Sequence, residues 1–478
     1  MPIQPTAGAG RALLVCALTA LLGGLSFLTT TPARATPTPG EHEVTFTGVQ
    51  GLSLHGTVIT PTTTYFDTPG IVLVGGSGPG PRQEYRREAE AFAAMGITTL
   101  IYDKRTDGYS ISHRDLGLLA DDALSAVRVL RETPGVRPNQ VGLWGFSEGG
   151  WVAPLAAARS NDVAFLITLG ASGFTPLRTQ TWNLANQLRH KGDSSPLATT
   201  VSGPAARLID AAGLFPAADF DPLPALRSLR IPVLGLWGRH DVQEPPAESA
   251  AVVRAALAAD PSVTIRFLDG AHNGRATTNG FDRVGQSYES PIPPGDFAPG
   301  YLDAMSTWLR QIADGTPPAS SADPSPTQAA NSHDPGHDLL SSPAVQATAL
   351  ALIVAVFLGY LGISFANKGI RTAQQARRVP RWLAATGLLT TLATVAYVLS
   401  IYATGAHSLG PVVLHRPLPW LTLQLLALAT VALLATTTVT TIRHRAVLSA
   451  THRFAITALT CTGFVWLAWT LNWSLLVR

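Results

Sequence analysis

Cysteine is nearly absent from this chain: only Cys16 and Cys461 occur in 478 residues, one in an N-terminal apolar segment and one in an apolar stretch near the end. The long region between them therefore has neither thiol nor disulfide, and its stability must come from its core. A domain of about 270 residues buries enough surface for that. Charge is scarce too, at 14% of residues against about 25% in typical soluble domains. The formal net charge of +3 reflects loops between C-terminal apolar stretches, so it forms no nucleic-acid patch. Those apolar stretches hold no ionisable residue, which argues against a proton or ion path and for an anchor or partner-binding module.

What is present falls into segments. Arg11, the apolar run Ala12 to Leu28 and Ala33-Arg34-Ala35 make a signal-peptide pattern over residues 1–35, with cleavage expected after Ala35. Cys16 does not read as a lipoprotein cysteine, because Val15 is not small and the apolar core continues beyond it. Residues 41–314 carry alternating strand-like and helix-like runs. Residues 315–342 shift to Pro, Ser, Ala and Asp, the composition of a flexible extended linker. Its His333-Asp334-Pro335-Gly336-His337-Asp338 run holds metal-ligand residue types, but a solvated linker lacks the fixed geometry that a metal site needs. No metal and no organic cofactor are expected.

Residues 343–478 contain four uncharged stretches, Ala344 to Ala366, Leu383 to Ala403, Trp420 to Ile442 and Phe454 to Leu476, each long enough to span a bilayer. Lys368, Arg371, Arg377, Arg378 and Arg381 lie between the first two, and Arg443, Arg445 and Arg453 between the last two, whereas the middle loop has only Arg416. The positive-inside rule puts the first and third loops in the cytoplasm, leaving residues 41–314 outside in agreement with the signal segment.

The most telling motif is Gly145-Phe146-Ser147-Glu148-Gly149-Gly150, after the apolar run Val141 to Trp144 and before the helix-like Trp151 to Ala158. A strand, a G-x-S-x-G turn and a helix would hold Ser147 on a strained bend with its hydroxyl exposed above a helix N-terminus. Glycines two positions to either side relieve the crowding that such a bend creates. A simple turn is the bland alternative. The order of the other candidates tells against it, because an acid and then a histidine should follow the nucleophile. Ile231 to Trp237 reads as a buried strand ending at Gly238-Arg239-His240-Asp241, and Val263 to Leu268 as another ending at Asp269-Gly270-Ala271-His272. Asp241 is the expected acid and His272 the expected base, with His240 ranked lower because it precedes and adjoins the acid.

Serine is a poor nucleophile until an imidazole takes its proton, and a carboxylate fixes that imidazole's tautomer. The oxyanion also needs donors. Ile71 to Val74 opens into Gly75-Gly76-Ser77-Gly78-Pro79-Gly80, so the amides of Ser77 and Glu148 are the expected pair. The same glycines lack the spacing and the Lys-Ser/Thr ending of a phosphate-binding loop.

On these motifs the chain from about Glu41 to Asp314 resembles the α/β-hydrolase superfamily, in particular secreted bacterial esterases of the dienelactone-hydrolase and serine-aminopeptidase-like clan. Ile101 to Ser110 resembles that clan's Tyr-Asp-x-Arg-Gly-x-Gly-x-Ser segment, with Thr106 standing where glycine is usual. The resemblance implies a mostly parallel α/β sheet with helices on both faces and a helical cap, here at about residues 173–229, where Phe174 and Trp182, with Trp151, could line a pocket. It implies a carboxylic-ester hydrolase working through an acyl-serine on a small ester or acyl substrate. Alternatives are a serine aminopeptidase, for which Glu148 or Glu244 could hold an α-amine, an acyltransferase acting on envelope lipids or glycans, and a non-catalytic membrane module.

Overall fold

Short apolar runs alternating with amphipathic helices build a central sheet. The computed structural model describes residues 40–62, 67–110, 112–283, 295–335, 339–366, 371–443 and 449–476. The signal segment, with Cys16, lies outside them, as do residues 336–338 of the His/Asp run. In chain order come β1 (Gly40–Thr47), β2 (Ser53–Thr60), β3 (Thr68–Val74), α1 (Arg86–Ala94), β4 (Thr98–Tyr102), α2 (Leu116–Glu132), β5 (Val136–Phe146), α3 (Gly149–Arg159) and β6 (Leu166–Leu169). An insert of α4 (Pro176–His190), α5 (Leu197–Ser202), α6 (Pro204–Ala211) and α7 (Leu223–Ser228) precedes β7 (Val233–Gly238), α8 (Pro246–Ala256), β8 (Val263–Leu268), α9 (Tyr301–Ala313) and the two-residue β9 (Ser321–Ala322). Four long helices follow: α10 (Pro343–Ala366), α11 (Arg371–Ala403), α12 (Leu418–Arg443) and α13 (Ala450–Asn472), with a small hairpin of β10 (Val412–Val413) and β11 (Arg416–Pro417) before α12.

The sheet order is β1-β2-β4-β3-β5-β6-β7-β8-β9. Strands β3 to β9 pair in parallel, while β1 and β2 run antiparallel at one edge. Every residue of β3 is buried, as a parallel strand covered on both faces requires. On one face α2, α3 and α8 pack through Leu119, Ala123, Leu130, Val152 and Val253. On the other, α1 and α9 contribute Phe92, Met305, Trp308 and Leu309. Helix α2 shows why the sequence was readable here: its buried residues recur at helical spacing, and Asp115 caps it by accepting from the Leu118 amide at 2.9 Å.

Two expectations need correction. The sequence of the insert reads as helix-like around Leu177 to Leu188 and Pro204 to Leu214, but four helices form there, because α5 and α7 are six residues each and too short to show a period. The stretch 315–342 is not a free linker. Its β9 pairs with β8, Asp323 receives the Phe267 amide at 3.0 Å and gives its own to Ile265 at 3.1 Å. Further along, Trp182 Nε1 donates to the Ala330 carbonyl at 2.9 Å and Arg207 to that of Pro335 at 2.7 Å. Strand β8 would otherwise present an open row of donors and acceptors, and an extended chain satisfies them through its backbone, which composition does not reveal.

The four C-terminal helices are long and apolar enough to cross a membrane. Helix α11 begins earlier than the uncharged stretch inside it. Small residues let the helices approach closely: a Cβ on Gly387 would lie 2.3 Å from the Phe357 ring, and one on Gly463 would lie 2.4 Å from Leu434. Trp466 Nε1 donates to Thr391 Oγ1 at 3.1 Å across the bundle.

A buried ion pair joins the first loops to α2. Arg105 grips Asp122 at 2.5 Å and also donates to the Val49 carbonyl at 3.0 Å, with both charged groups almost wholly out of solvent. Arg105→Met strands the carboxylate and should destabilise the fold by about 3–5 kcal/mol. Arg105→Met combined with Asp122→Leu should recover part of that loss. Thermal unfolding of the two variants checks this; a double variant no more stable than the single one would contradict it.

Candidate active site

Strand order fixes where a site can form. The sheet reverses its winding at β3, whose neighbours are β4 on one side and β5 on the other. Open α/β sheets bind ligands at the carboxyl ends of strands at such a switch point. The loop 75–80 leaves β3 there, and Ser147 follows β5.

Ser147 has φ +53°, a left-handed value that ordinary side chains avoid. The bend is held because the Ser147 amide donates to the Leu169 carbonyl at the end of β6, at 3.0 Å, and its carbonyl accepts from Gly150 at 2.7 Å. The flanking glycines are sterically required: a Cβ on Gly145 would lie 2.1 Å from the Gly149 carbonyl oxygen, and one on Gly149 would lie 2.2 Å from that of Val74.

Asp241 and His272 leave the ends of β7 and β8 and meet, with His272 Nδ1 2.7 Å from Asp241 Oδ2. The other carboxylate oxygen accepts from the amides of Gln243 and Glu244 at 2.8 and 2.9 Å, so the acid's orientation is fixed twice over. The imidazole is buried and lies beside the elbow: its ring is 5.1 Å from that of Phe146, centroid to centroid. Beneath it Gly170 turns at φ +60°, where a Cβ would lie 2.7 Å from the ring. His240 faces away and pairs with Asp269 at 2.9 Å near the surface.

In the loop after β3 two amides are tied to tyrosine hydroxyls and the Ser77 amide between them is not. Gly76 donates to the Tyr85 hydroxyl at 2.8 Å and Gly78 to the Tyr109 hydroxyl at 3.0 Å, while Ser77 between them is exposed with no acceptor in the described structure. The Glu148 amide, at the start of α3, likewise has no acceptor there.

The Glu148 side chain is turned inward, wholly buried, receiving Lys104 Nζ at 2.6 Å and the Tyr109 hydroxyl at 2.6 Å, with Arg114 Nε at 3.3 Å. Lys104 also donates to the Gly76 carbonyl. Burial pulls the Lys104 ammonium below its ordinary range against the pull of Glu148, and burial together with Glu148 pushes Tyr109 up, so its hydroxyl stays protonated and donates. This network was not picked out from the sequence, although Lys104 and Tyr109 lie in the segment 101–110 that carried the resemblance. With its carboxylate engaged internally, Glu148 offers no site for a substrate amine. Phe174 lies under the Arg178 guanidinium at 3.7 Å, and Trp151 and Trp182 are buried with their N–H groups bonded to Ser172 and Ala330.

Glu244 is also buried. Desolvation first, then the charge of Asp241, push its carboxyl well above the ordinary range, and its Oε2 has no hydrogen-bond partner. In the window from the ordinary carboxyl value of about 4.3 up to the raised value, the folded protein keeps a proton that the unfolded chain has lost. Stability therefore falls as pH rises through that window. Glu244→Gln keeps a neutral side chain at every pH, so its stability relative to wild type should rise with pH across the window. Melting temperatures of both proteins over a pH series test this, and a pH-independent difference would count against it.

No family model matches the chain. Among curated proteins, the thiohydrolase aneE of Aspergillus aculeatus is 30% identical over 131 residues, 27% of this chain. The quorum-quenching protein AidA of Acinetobacter baumannii is 32% identical over 110 residues, 22% of this chain. These matches cover only 40% and 36% of the relatives' own lengths. Among solved structures, a 2,6-dihydroxy-pseudo-oxynicotine hydrolase aligns with a TM-score of 0.40 at 18% identity, over 60% of this chain and 72% of that one. A dienelactone hydrolase from Anabaena variabilis aligns with a TM-score of 0.33 at 20% identity, over 56% of this chain and 94% of that one. The mostly parallel sheet and the turn at Ser147 give this chain the α/β-hydrolase fold, followed by four apolar helices at its C-terminal end.

Proposed function

We propose that this chain is a membrane-anchored serine hydrolase that cleaves carboxylic esters on the extracytoplasmic side. One observation carries the reading: a serine held at φ +53° at the switch point of the sheet, beside a buried imidazole bonded at 2.7 Å to a doubly anchored carboxylate.

In this reading Ser147 Oγ attacks the ester carbonyl and passes its proton to His272, whose positive charge Asp241 stabilises. The carbonyl oxygen becomes an oxyanion facing the amides of Ser77 and Glu148. As the tetrahedral intermediate collapses, His272 returns the proton to the departing alcohol, leaving acyl-Ser147. Water, deprotonated by the same imidazole, then releases the acid. The similarity to a thiohydrolase adds thioesters to the substrates worth assaying. The apolar helices and the basic loops at one end of the bundle support anchoring, with the hydrolase at the other end.

Labelling of the full chain by a fluorophosphonate, and hydrolysis of p-nitrophenyl esters of graded length, test the assignment. Ser147→Ala should lose labelling and at least about a thousandfold in turnover; unchanged turnover would refute it. Tyr109→Phe keeps the ring but releases the Gly78 amide and one donor to Glu148. A fall of about tenfold to a hundredfold in kcat is expected, with KM little changed and a boronic acid bound correspondingly more weakly. Activity within twofold of wild type would separate the tyrosine from oxyanion positioning.

A further inference from the structure

Helix α4 has two different partners on opposite faces. Leu184 and Leu188, one turn apart, are wholly buried in an apolar cluster shared with Val201 of α5 and with Phe357, Trp420 and Trp473 of the C-terminal bundle. Asn186 lies half a turn away from both, and its Nδ2 donates at 3.1 Å to the carbonyl of Val242, the residue after Asp241. One helix therefore buries one face in the cluster that the insert shares with the bundle and bonds the loop of the proposed catalytic acid with the other.

Polar contacts repeat this seat. The Tyr402 hydroxyl donates to the Val201 carbonyl at 2.5 Å, Thr200 Oγ1 to that of Trp473 at 2.6 Å, and Lys191 Nζ to those of Ala406 and His407 at 2.9 and 2.8 Å. The partners in these polar contacts, Tyr402, Ala406, His407 and Trp473, lie at one end of the bundle, where α11 and α13 finish and α12 begins. Helices that cross a bilayer end at its headgroups, so the insert sits at headgroup depth. Exposed leucines adjoin these segments in the chain: Leu214 just after α6, Leu339 and Leu340 just before α10, and Leu414 in the hairpin before α12. Scattered single leucines need no explanation, but four in the insert and in the segments that open the bundle helices suit an apolar interface.

Resting on the serine-hydrolase reading, we infer that the bundle is one wall of the cap and that the substrate is a long-chain acyl ester resident in the bilayer, received at Ser147 with its chain still largely in lipid. A site opening at this depth avoids hydrating each methylene of the chain, whereas a small soluble ester gains nothing from it.

The test uses the full chain in phosphatidylcholine vesicles, with p-nitrophenyl palmitate in the bilayer and p-nitrophenyl acetate in the water. At constant bulk palmitate ester, a tenfold dilution of its mole fraction with phosphatidylcholine should lower the rate close to tenfold. Leu214→Asp combined with Leu414→Asp, both exposed positions, should lower the palmitate-to-acetate rate ratio at least fivefold. A palmitate rate independent of mole fraction, a ratio unchanged by the double variant, or turnover of acetate alone would each overturn the inference while Ser147 still reacts with a fluorophosphonate. Failure of Ser147 to react would overturn the serine-hydrolase reading, and this inference with it.

Discussion

The buried carboxylate of Glu148 is the constraint around which the site is built. It follows the elbow serine directly, and its ion pair with Lys104 and its bond from Tyr109 reach the loop after β3 from below. Through the Tyr109 hydroxyl and the Lys104 ammonium it fixes the backbone on either side of Ser77. A charge buried this deeply is tolerated only with its partners in place, and stranding one member of such a pair typically costs about 3–5 kcal/mol. The same cost that forbids breaking the cluster holds the backbone on either side of Ser77 in place.

The imidazole is placed by a second set of constraints, made of backbone approaches. Gly238 lets the turn at 270–271 come within contact of the end of β7, where a Cβ would lie 2.3 Å from two carbonyl oxygens, and Gly170 leaves room for the ring itself. Behind that turn Arg275 pairs with the buried Glu88 and stacks on Phe297 at 4.1 Å. Four strand ends thus converge, each by a different device: a strained serine, an ion cluster, a doubly anchored acid and a pinned loop.

The C-terminal helices enter the same framework. The insert shares an apolar cluster with them, and the chain that connects them to the sheet is bonded to β8, to α4 and to α6. A tether would leave the two halves independent; this arrangement makes the packing of the bundle part of the surroundings of α4, which also touches the loop after Asp241.

Ser147, Asp241 and His272 could be proposed from sequence because each follows a short buried strand, and strand ends at a switch point are where such groups converge. The apolar spans were legible because crossing a bilayer demands long uncharged runs. Helix α2 is legible from its own residues because helical spacing and burial agree there. What sequence could not supply was anything made by distant residues meeting. Lys104, Tyr109 and Arg114 look like ordinary loop residues until they surround Glu148. Gly170 looks like a turn until His272 lies on it. The polar stretch 315–342 looks free until β8 offers it a backbone edge. Local pattern determined which residue types were available and near which strand ends; tertiary structure decided which of them are buried together, because burial of charge and close backbone approach depend on neighbours that the linear order does not name.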